Sequence, residues 1–432
     1  MKIRIFQSDK GDCLLLRTQA KGNILIDGGM SRSYKDHVRP FLGRMRDREE
    51  ELDLVYVSHI DQDHIAGILQ LVNDEMDWRR FLFQSNTANG RINIRAPGLK
   101  RPPKVQQVWH NAFHTLIIQN RGAIEDLLAA SSRIWSRVIS DKELQEAAGK
   151  ANGLVTSKRE AVKLSNRLST RQLAIPLNSA FGGKLALRPS SPEEIFIAGV
   201  SIRVLGPSKA DMEKLRKAWN KWLNKNRETI DSLREKAEED AESIGNNTAT
   251  LSAFLSNSSN RGGVTLPNLA SLMLYVDEGG DSLLLTGDGH AEDILTGLEQ
   301  QGLMRADGTC HVRALKIPHH GSSHNFEPKR DFFRRVTADH YIFCGDGSNT
   351  NPELDVLKLL FDSRLGRRSL RSKSAQVDHK FKLWFSSHES VAKPGNKAHM
   401  ELLENAVLEK QAQNSDRFSA KFLTRSSFEF SI

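Results

Sequence analysis

The sequence predicts an α/β protein, and three observations lead to that class. Short apolar runs recur at residues 23–27, 52–57, 281–285 and 314–317, each of strand rather than helix length. Two of them lead into helical patterns, at residues 65–72 and in the stretch that opens Ala291-Glu292-Asp293. The runs end beside glycine, aspartate or histidine, residues that suit a turn and can carry chemistry.

The chain has 432 residues, enough for one large domain or two ordinary ones. Hydrophobic residues make up 38%, which suffices for a core. No apolar run approaches the roughly 18–20 residues of a membrane helix, so no membrane partner is expected. Met1-Lys2-Ile3-Arg4-Ile5-Phe6 alternates like a strand and has no leader pattern. Cys13, Cys310 and Cys344 lie far apart, so a disulfide framework is not expected and a reducing cytoplasm is the default. The net charge of +9 favours a polyanionic partner such as nucleic acid.

The chemistry concentrates in Ser58-His59-Ile60-Asp61-Gln62-Asp63-His64. His59, Asp61, Asp63 and His64 occupy a strand-to-helix turn, where side chains converge on one point. Imidazole and carboxylate together suit zinc, manganese or iron better than calcium or magnesium. Helix capping by Asp63 would account for one of the four, not for the set.

His59-Ile60-Asp61-Gln62-Asp63-His64 resembles the second motif of the metallo-β-lactamase fold, usually His-x-His-x-Asp-His, with aspartate at the middle histidine. That variant is similar to the metallo-β-lactamase-like domain of competence DNA-uptake proteins and their soluble relatives. Residues 1–30 read as two strands and a tight turn, with Gly11-Asp12 entering an apolar run. Asp27-Gly28 alone would be an ordinary turn; the resemblance implies that Asp27 supports the metal loop through hydrogen bonds. Residues 31–50 read as a charged surface helix and loop, and Phe81-Leu82-Phe83 as a strand. Residues 91–104 form a basic, proline-bearing loop, read as solvated. His110 and His114 are open to either a ligand role or a satisfied core or surface role. Lys163, Arg167 and Arg171 share a helical face, read as solvated.

Residues 195–205 read as a pair of short strands ending at Gly206-Pro207, where the resemblance expects a third-motif histidine. Its loss leaves one metal position short of a ligand. Residues 208–246 read as a charged helix whose Trp219 and Trp222 pack on the domain or a partner protein, base stacking being the alternative. Residues 245–266 read as a mobile loop. The resemblance implies that Asp288, in Thr286-Gly287-Asp288, bridges two metals roughly 3.5–4 Å apart. His290 either lies near the cleft or caps the next helix. In Pro318-His319-His320-Gly321-Ser322, at least one of His319 and His320 is expected to ligate metal, and the other to contact substrate or donate a proton. Lys316 is expected to be buried or paired. Asn351-Pro352 stands where relatives carry His-Pro. Arg364, Arg367, Arg368, Arg371 and Lys373 form the densest basic cluster, a candidate phosphate contact. Residues 377–432 read as two strands around a helix.

The resemblance implies a single αββα sandwich over residues 1–432, with helical insertions at 73–194 and 208–264 and a C-terminal extension at 377–432. It implies a metal-dependent hydrolase, most directly a phosphodiesterase or nuclease acting on nucleic acid. His59 and Asp61 would serve one metal, and Asp63, His64 and one of His319 and His320 the other, with Asp288 between them. Asp63, His319 and His320 are the candidate catalytic groups. Zinc is the expected ion, in one or two copies, with manganese as the alternative that the harder carboxylate of Asp61 would suit. Alternatives are hydrolysis of a small ester, lactone or cyclic nucleotide, and a binding-only protein with a degraded site.

Overall fold

Strands buried on both faces read as apolar runs, as Leu14–Leu16, Ile24–Ile26 and Leu54–Val57 do, while Lys2–Phe6, one strand in from the edge, alternates. In the computed structural model, which describes residues 1–87, 95–111, 160–213 (except 162 and 211), 271–326 and 331–432, the first sheet begins with β1 (Lys2–Phe6), β2 (Leu14–Arg17), β3 (Asn23–Ile26) and β4 (Leu54–Val57). Ile3, Ile5, Leu14, Leu16, Ile24, Ile26, Leu54 and Tyr56 face a core between two sheets. The alternate residues Phe6, Leu15, Leu25, Val55 and Val57 face helices outside. From β2 to β4 both faces are covered, so the sequence shows runs rather than alternation.

Among the described residues the first sheet has the order β14-β1-β2-β3-β4-β5, with β5 at Val108–His110 and β14 at Ser427–Ser431. The second has β6 (Ile195–Ile197), β7 (Val200–Gly206), β8 (Met273–Glu278), β9 (Asp281–Leu285), β10 (Cys310–Lys316), β11 (Val336–Phe343), β12 (Phe381–Phe385) and β13 (Phe418–Phe422), neighbours in the reverse of chain order. Both are mixed: antiparallel pairs such as β2–β3 and β8–β9 give way to parallel pairs β3–β4 and β9–β10. Helices α1 (Arg39–Asp47) and α2 (Gln62–Thr87) cover the first sheet. Helices α3 (Ala291–Gln300), α4 (Asp331–Arg335), α5 (Leu354–Leu365) and α6 (Lys397–Ala412) cover the second. The layers run helix, sheet, sheet, helix. Among the described residues no helix is long and apolar enough to cross a membrane. The three cysteines are buried free thiols.

Four expectations are corrected. Residues 1–30 supply three strands, not two. Phe81-Leu82-Phe83 lies inside α2, where Trp78 meets Phe81 edge-on and Glu75 pairs with Arg79, both at helical spacing. Residues 73–194 are not wholly an insertion, because Val108–His110 pairs with β4 as an edge strand. Residues 377–432 supply three strands, not two: β12 and β13 extend the second sheet beyond β11, and β14 pairs with β1 at the edge of the first. The helix at 208–246 with Trp219 and Trp222, the loop at 245–266 and His114 lie outside the described residues, apart from 208–210, 212 and 213.

One core contact gives the fold a pH dependence. Trp384 Nε1–H donates to His340 Nδ1 at 3.0 Å, and the imidazole stacks on Phe430. Burial, then Lys382, push His340 down to about 4 from its ordinary 6.5. The unfolded chain therefore binds the proton more readily between those values, and stability falls as pH drops through them. The loss is at most about 3 kcal/mol, less for a half-buried ring. Urea unfolding at pH 6.5 and 4.5 should show this drop in the wild type and a smaller one in His340→Asn.

Candidate metal centre

The site forms where strands end. The loops after β3, β4, β9 and β10 deliver Asp27, His59, Asp288 and the His319-His320 pair, and His64 sits in the first turn of α2. Asp12 arrives from the β1–β2 turn. The backbone of Gly11 lies against Asp63, so that a Cβ on Gly11 would fall 1.8 Å from the Asp63 carbonyl oxygen. Asp27, His319 and His320 hold φ of +53°, +45° and +54°. Each such non-glycine residue costs on the order of 1 kcal/mol or more, and such strain persists where the surroundings enforce it.

Hydrogen-bond donors and acceptors fix how the imidazoles point. Asp27 Oδ1 accepts from the Ser58 backbone N–H at 2.7 Å, and Asp27 Oδ2 from the Ser58 hydroxyl at 2.7 Å. With its proton committed, Ser58 Oγ accepts from His59 Nδ1–H at 3.1 Å. His64 Nδ1–H donates to Asp27 Oδ2 at 3.0 Å. Asn325 donates its amide to the carbonyls of Asp288 and Gly289, which leaves Oδ1 to accept from His319 Nδ1–H at 2.5 Å. Every Nε2 is thereby aimed the same way. His59 Nε2 lies 3.4 Å from Asp288 Oδ2, His64 Nε2 3.5 Å from Oδ1, and His319 Nε2 3.6 Å from Oδ2. His320 Nε2 lies 3.7 Å from Asp288 Oδ2 and 3.6 Å from Asp63 Oδ2, with Nδ1 3.1 Å from Asp12. Asp61 Oδ2 is 3.7 Å from His59 Nε2.

The Nε2 separations, 3.4 Å and more, exceed ordinary hydrogen bonds. The Nε2 atoms of His59, His64 and His320 and Oδ1 of Asp288 are buried without a hydrogen bond. A buried polar atom left so is costly unless something completes it. Imidazole nitrogens converging on a carboxylate fit a divalent cation of the zinc or manganese kind. The ligand atoms of Asp12, His64, Asp288 and His320 all lie within 4.8 Å of one another.

The electrostatics draw positive charge inward. Burial would lower His320, but Asp288 and Asp12 outweigh it and raise the imidazole to about 9. His64 is likewise raised, by Asp288, Asp27 and Asp12 against burial. His59 goes the other way, to about 3, through burial and the neighbouring charge of His64. Burial, then Asp63 and Asp288, raise the carboxyl of Asp61. Lys316 is buried, ion-paired with Asp12, bonded to the Gly287 carbonyl at 2.9 Å, and 3.8 Å from Asp288 Oδ1.

Of the residues singled out by sequence, His59, Asp61, Asp63, His64, Asp288, His319 and His320 are brought together around one point, with Asp27 hydrogen-bonded behind them. Gly206 ends β7 against Met273 and brings no imidazole. His290 caps α3, accepting from Glu292 N–H. Asp12, Ser58 and Asn325 were not singled out as site residues. The one available signal for Asp12 was its Gly11-Asp12 step ahead of the apolar run.

The basic cluster is corrected. Arg364 is fully buried, bonded to the carbonyls of Ala338, Val377 and His379 and to the Tyr341 hydroxyl, so it cannot reach a phosphate. Arg371 is paired with Asp378. Arg367, Arg368 and Lys373 remain exposed. They follow the far end of α5, about 18 Å along the helix from the end nearer His320.

Residues 9–75 match the family model described as the metallo-beta-lactamase superfamily. That stretch carries Asp12, Asp27 and the whole of His59 to His64. Matching solved structures include Zn(2+)-bound PqqB from Methylobacterium extorquens, 8% identical, covering 100% of each chain with a TM-score of 0.35. No curated protein matches. The fold is an αββα sandwich, two mixed sheets packed together with helices outside.

Asp27→Asn is expected to weaken cation binding by about 10–100-fold, because it loosens the tautomer and aim of His64. Titration with zinc against a competing chelator measures it. Retention of wild-type affinity would show that Asp27 does not orient the imidazole.

Proposed function

We propose that this chain is a metal-dependent hydrolase acting on phosphodiester bonds of nucleic acid. The observation that supports hydrolysis most is the convergence of buried Nε2 atoms on Asp288. His59, His64, Asp288 and the His319-His320 pair would hold the cation, with Asp61 and Asp63 at its edge. A divalent cation bound there supplies Lewis acidity, which makes hydroxide available near neutral pH and offsets charge on the phosphodiester. Burial would raise the Asp63 carboxyl, but His320, which it faces, and His64 outweigh this and hold it ionised, so Asp63 would orient the attacking water and accept its proton. Lys10, 4.0 Å from Asp63 and partly exposed, is a cation for the substrate phosphate at the rim. Zinc is the first ion to try and manganese the second, since Asp61 replaces an imidazole with a harder ligand.

The nucleic-acid part rests on the net charge of +9, on Lys10, and on the likeness of His59-Ile60-Asp61-Gln62-Asp63-His64 and Pro318-His319-His320-Gly321-Ser322 to the competence-type motifs. Arg364 is buried and so offers nothing to a long polymer. The test therefore compares plasmid DNA, single-stranded DNA and the small diester bis(p-nitrophenyl) phosphate, each with zinc or manganese and beside His59→Ala. Cleavage of DNA that vanishes in His59→Ala supports the whole reading. Cleavage of the small diester alone overturns the nucleic-acid part. No cleavage of any diester overturns phosphodiester hydrolysis.

A further inference from the structure

A second cluster lies on the other side of the molecule's chemistry, in the second sheet. His311 and Arg313 sit two residues apart on β10 and so share a face; Thr337 and Asp339 do the same on the parallel neighbour β11, with His311 opposite Thr337. His379 comes from the loop before β12. That loop is held by the buried Arg364, which donates to the His379 carbonyl at 2.8 Å and the Val377 carbonyl at 3.2 Å. The ligand atoms of His311, Asp339 and His379 lie within 4.8 Å of one another.

A chain of hydrogen bonds sets the tautomer of His311. Ser374 Oγ–H donates to Gln376 at 3.1 Å, and Thr337 Oγ1–H donates to Ser374 at 3.2 Å. Thr337 Oγ1 is then the acceptor for His311 Nδ1–H at 3.0 Å. His311 Nε2 is left facing Asp339 Oδ1 at 3.4 Å, and His379 Nδ1 faces the same oxygen at 3.8 Å. Asp339 is 8% exposed; Arg313 takes its Oδ2, while Oδ1 is buried without a hydrogen bond. Asp339 and His379 line a surface cavity of about 590 Å³, which gives access from solvent.

We propose that His311, Asp339 and His379 form a second metal site, separate from the Asp288 centre, for a divalent transition ion of the zinc class. Two imidazole nitrogens and one carboxylate oxygen, with an open side, match that ion's ligand preference. Arg313, Lys380, Lys382 and Arg417 border the same cavity. Their charge opposes a hydrated hard cation such as magnesium; a zinc-class ion is bound through imidazole nitrogen strongly enough to tolerate it.

The test uses the full chain, dialysed against micromolar zinc and analysed by elemental emission, and cobalt(II) titration followed by visible absorbance. The wild type should hold about one more ion per chain than His311→Ala/His379→Ala. His59→Ala/Asp288→Ala should keep that ion, and the cobalt bands that go with it. Diesterase activity should be unchanged in the His311/His379 variant. If circular dichroism shows that this variant has not folded, His379→Ala alone, at an exposed loop position, should weaken the second binding event by about 10–100-fold. Equal metal content in the wild type and the His311/His379 variant would overturn the proposal, as would loss of all cobalt bands in His59→Ala/Asp288→Ala.

Discussion

Asp288→Ala should leave a folded protein that no longer binds divalent metal at the candidate centre. Hydrolysis of any substrate should fall by on the order of 10³-fold or more, since the change removes the group every site imidazole faces. The geometry makes this the largest single effect on activity. His59 and His64 come from the turn after β4 and the start of α2, and His319 and His320 from the loop after β10, and each has its Nε2 within 3.4–3.7 Å of this one carboxylate. Asp288 is also the anion that, with Asp12, outweighs burial at His320. Without it the imidazoles would face one another, and their tendency to gather positive charge would weaken. Two measurements separate ligand loss from misfolding. Metal content should drop, while the far-ultraviolet circular dichroism spectrum should match the wild type. A variant that keeps both its metal and its activity would show that the cations are held elsewhere.

How far the site could be read in advance depended on how local each signal was. His59, Asp61, Asp63 and His64 lie on one turn, so their convergence follows from sequence spacing alone. Asp288 and the histidines after Pro318 are distant in sequence, but each closes an apolar strand, and parallel strands gather their C-terminal ends along one edge. Asp12 was harder. Its loop reaches the site because Gly11 leaves room for the Asp63 carbonyl, a close approach between segments about fifty residues apart that no local pattern encodes. The basic cluster misled for a related reason. Charge density is visible in sequence, but burial is not, and the last turn of α5 turns Arg364 into the protein to hold three backbone carbonyls. At residues 377–432 the sequence pattern shows two strands around a helix, and the strand at 427–431 is not among them. Its pairing to β1 joins Phe430 to Ile3, a contact across nearly the whole chain whose register only the folded sheets define.

Lys316→Met should cost the fold more than any other single change near the site, about 3–5 kcal/mol, because it strips a buried carboxylate of its cation. Lys316 is 2% exposed and pairs with Asp12, which is itself 2% exposed on its side chain. Asp27 and Asp288 are buried close by, so Asp12 would be left among carboxylates. Burial alone would raise Asp12; Lys316, His320 and His64 overcome that and hold it below its usual 3.8. A carboxyl depressed in the folded state adds stability that is present above the unfolded value and lost as pH falls through the folded one. Removing Lys316 lets the folded value rise, so acid unfolding should begin at higher pH in the variant. Asp12→Asn/Lys316→Met removes both charges and should recover much of the loss, a coupling that urea unfolding of the four-member cycle would measure. Divalent metal should partly rescue Lys316→Met, by about 2.7 kcal/mol at a concentration a hundred times its dissociation constant, since it binds only the folded chain and brings charge to the same carboxylates. A single variant as stable as the wild type, or strict additivity in the cycle, would mean that Lys316 does not neutralise Asp12. The organic cation at Asp12 and Asp288 would then be no partner to the metal.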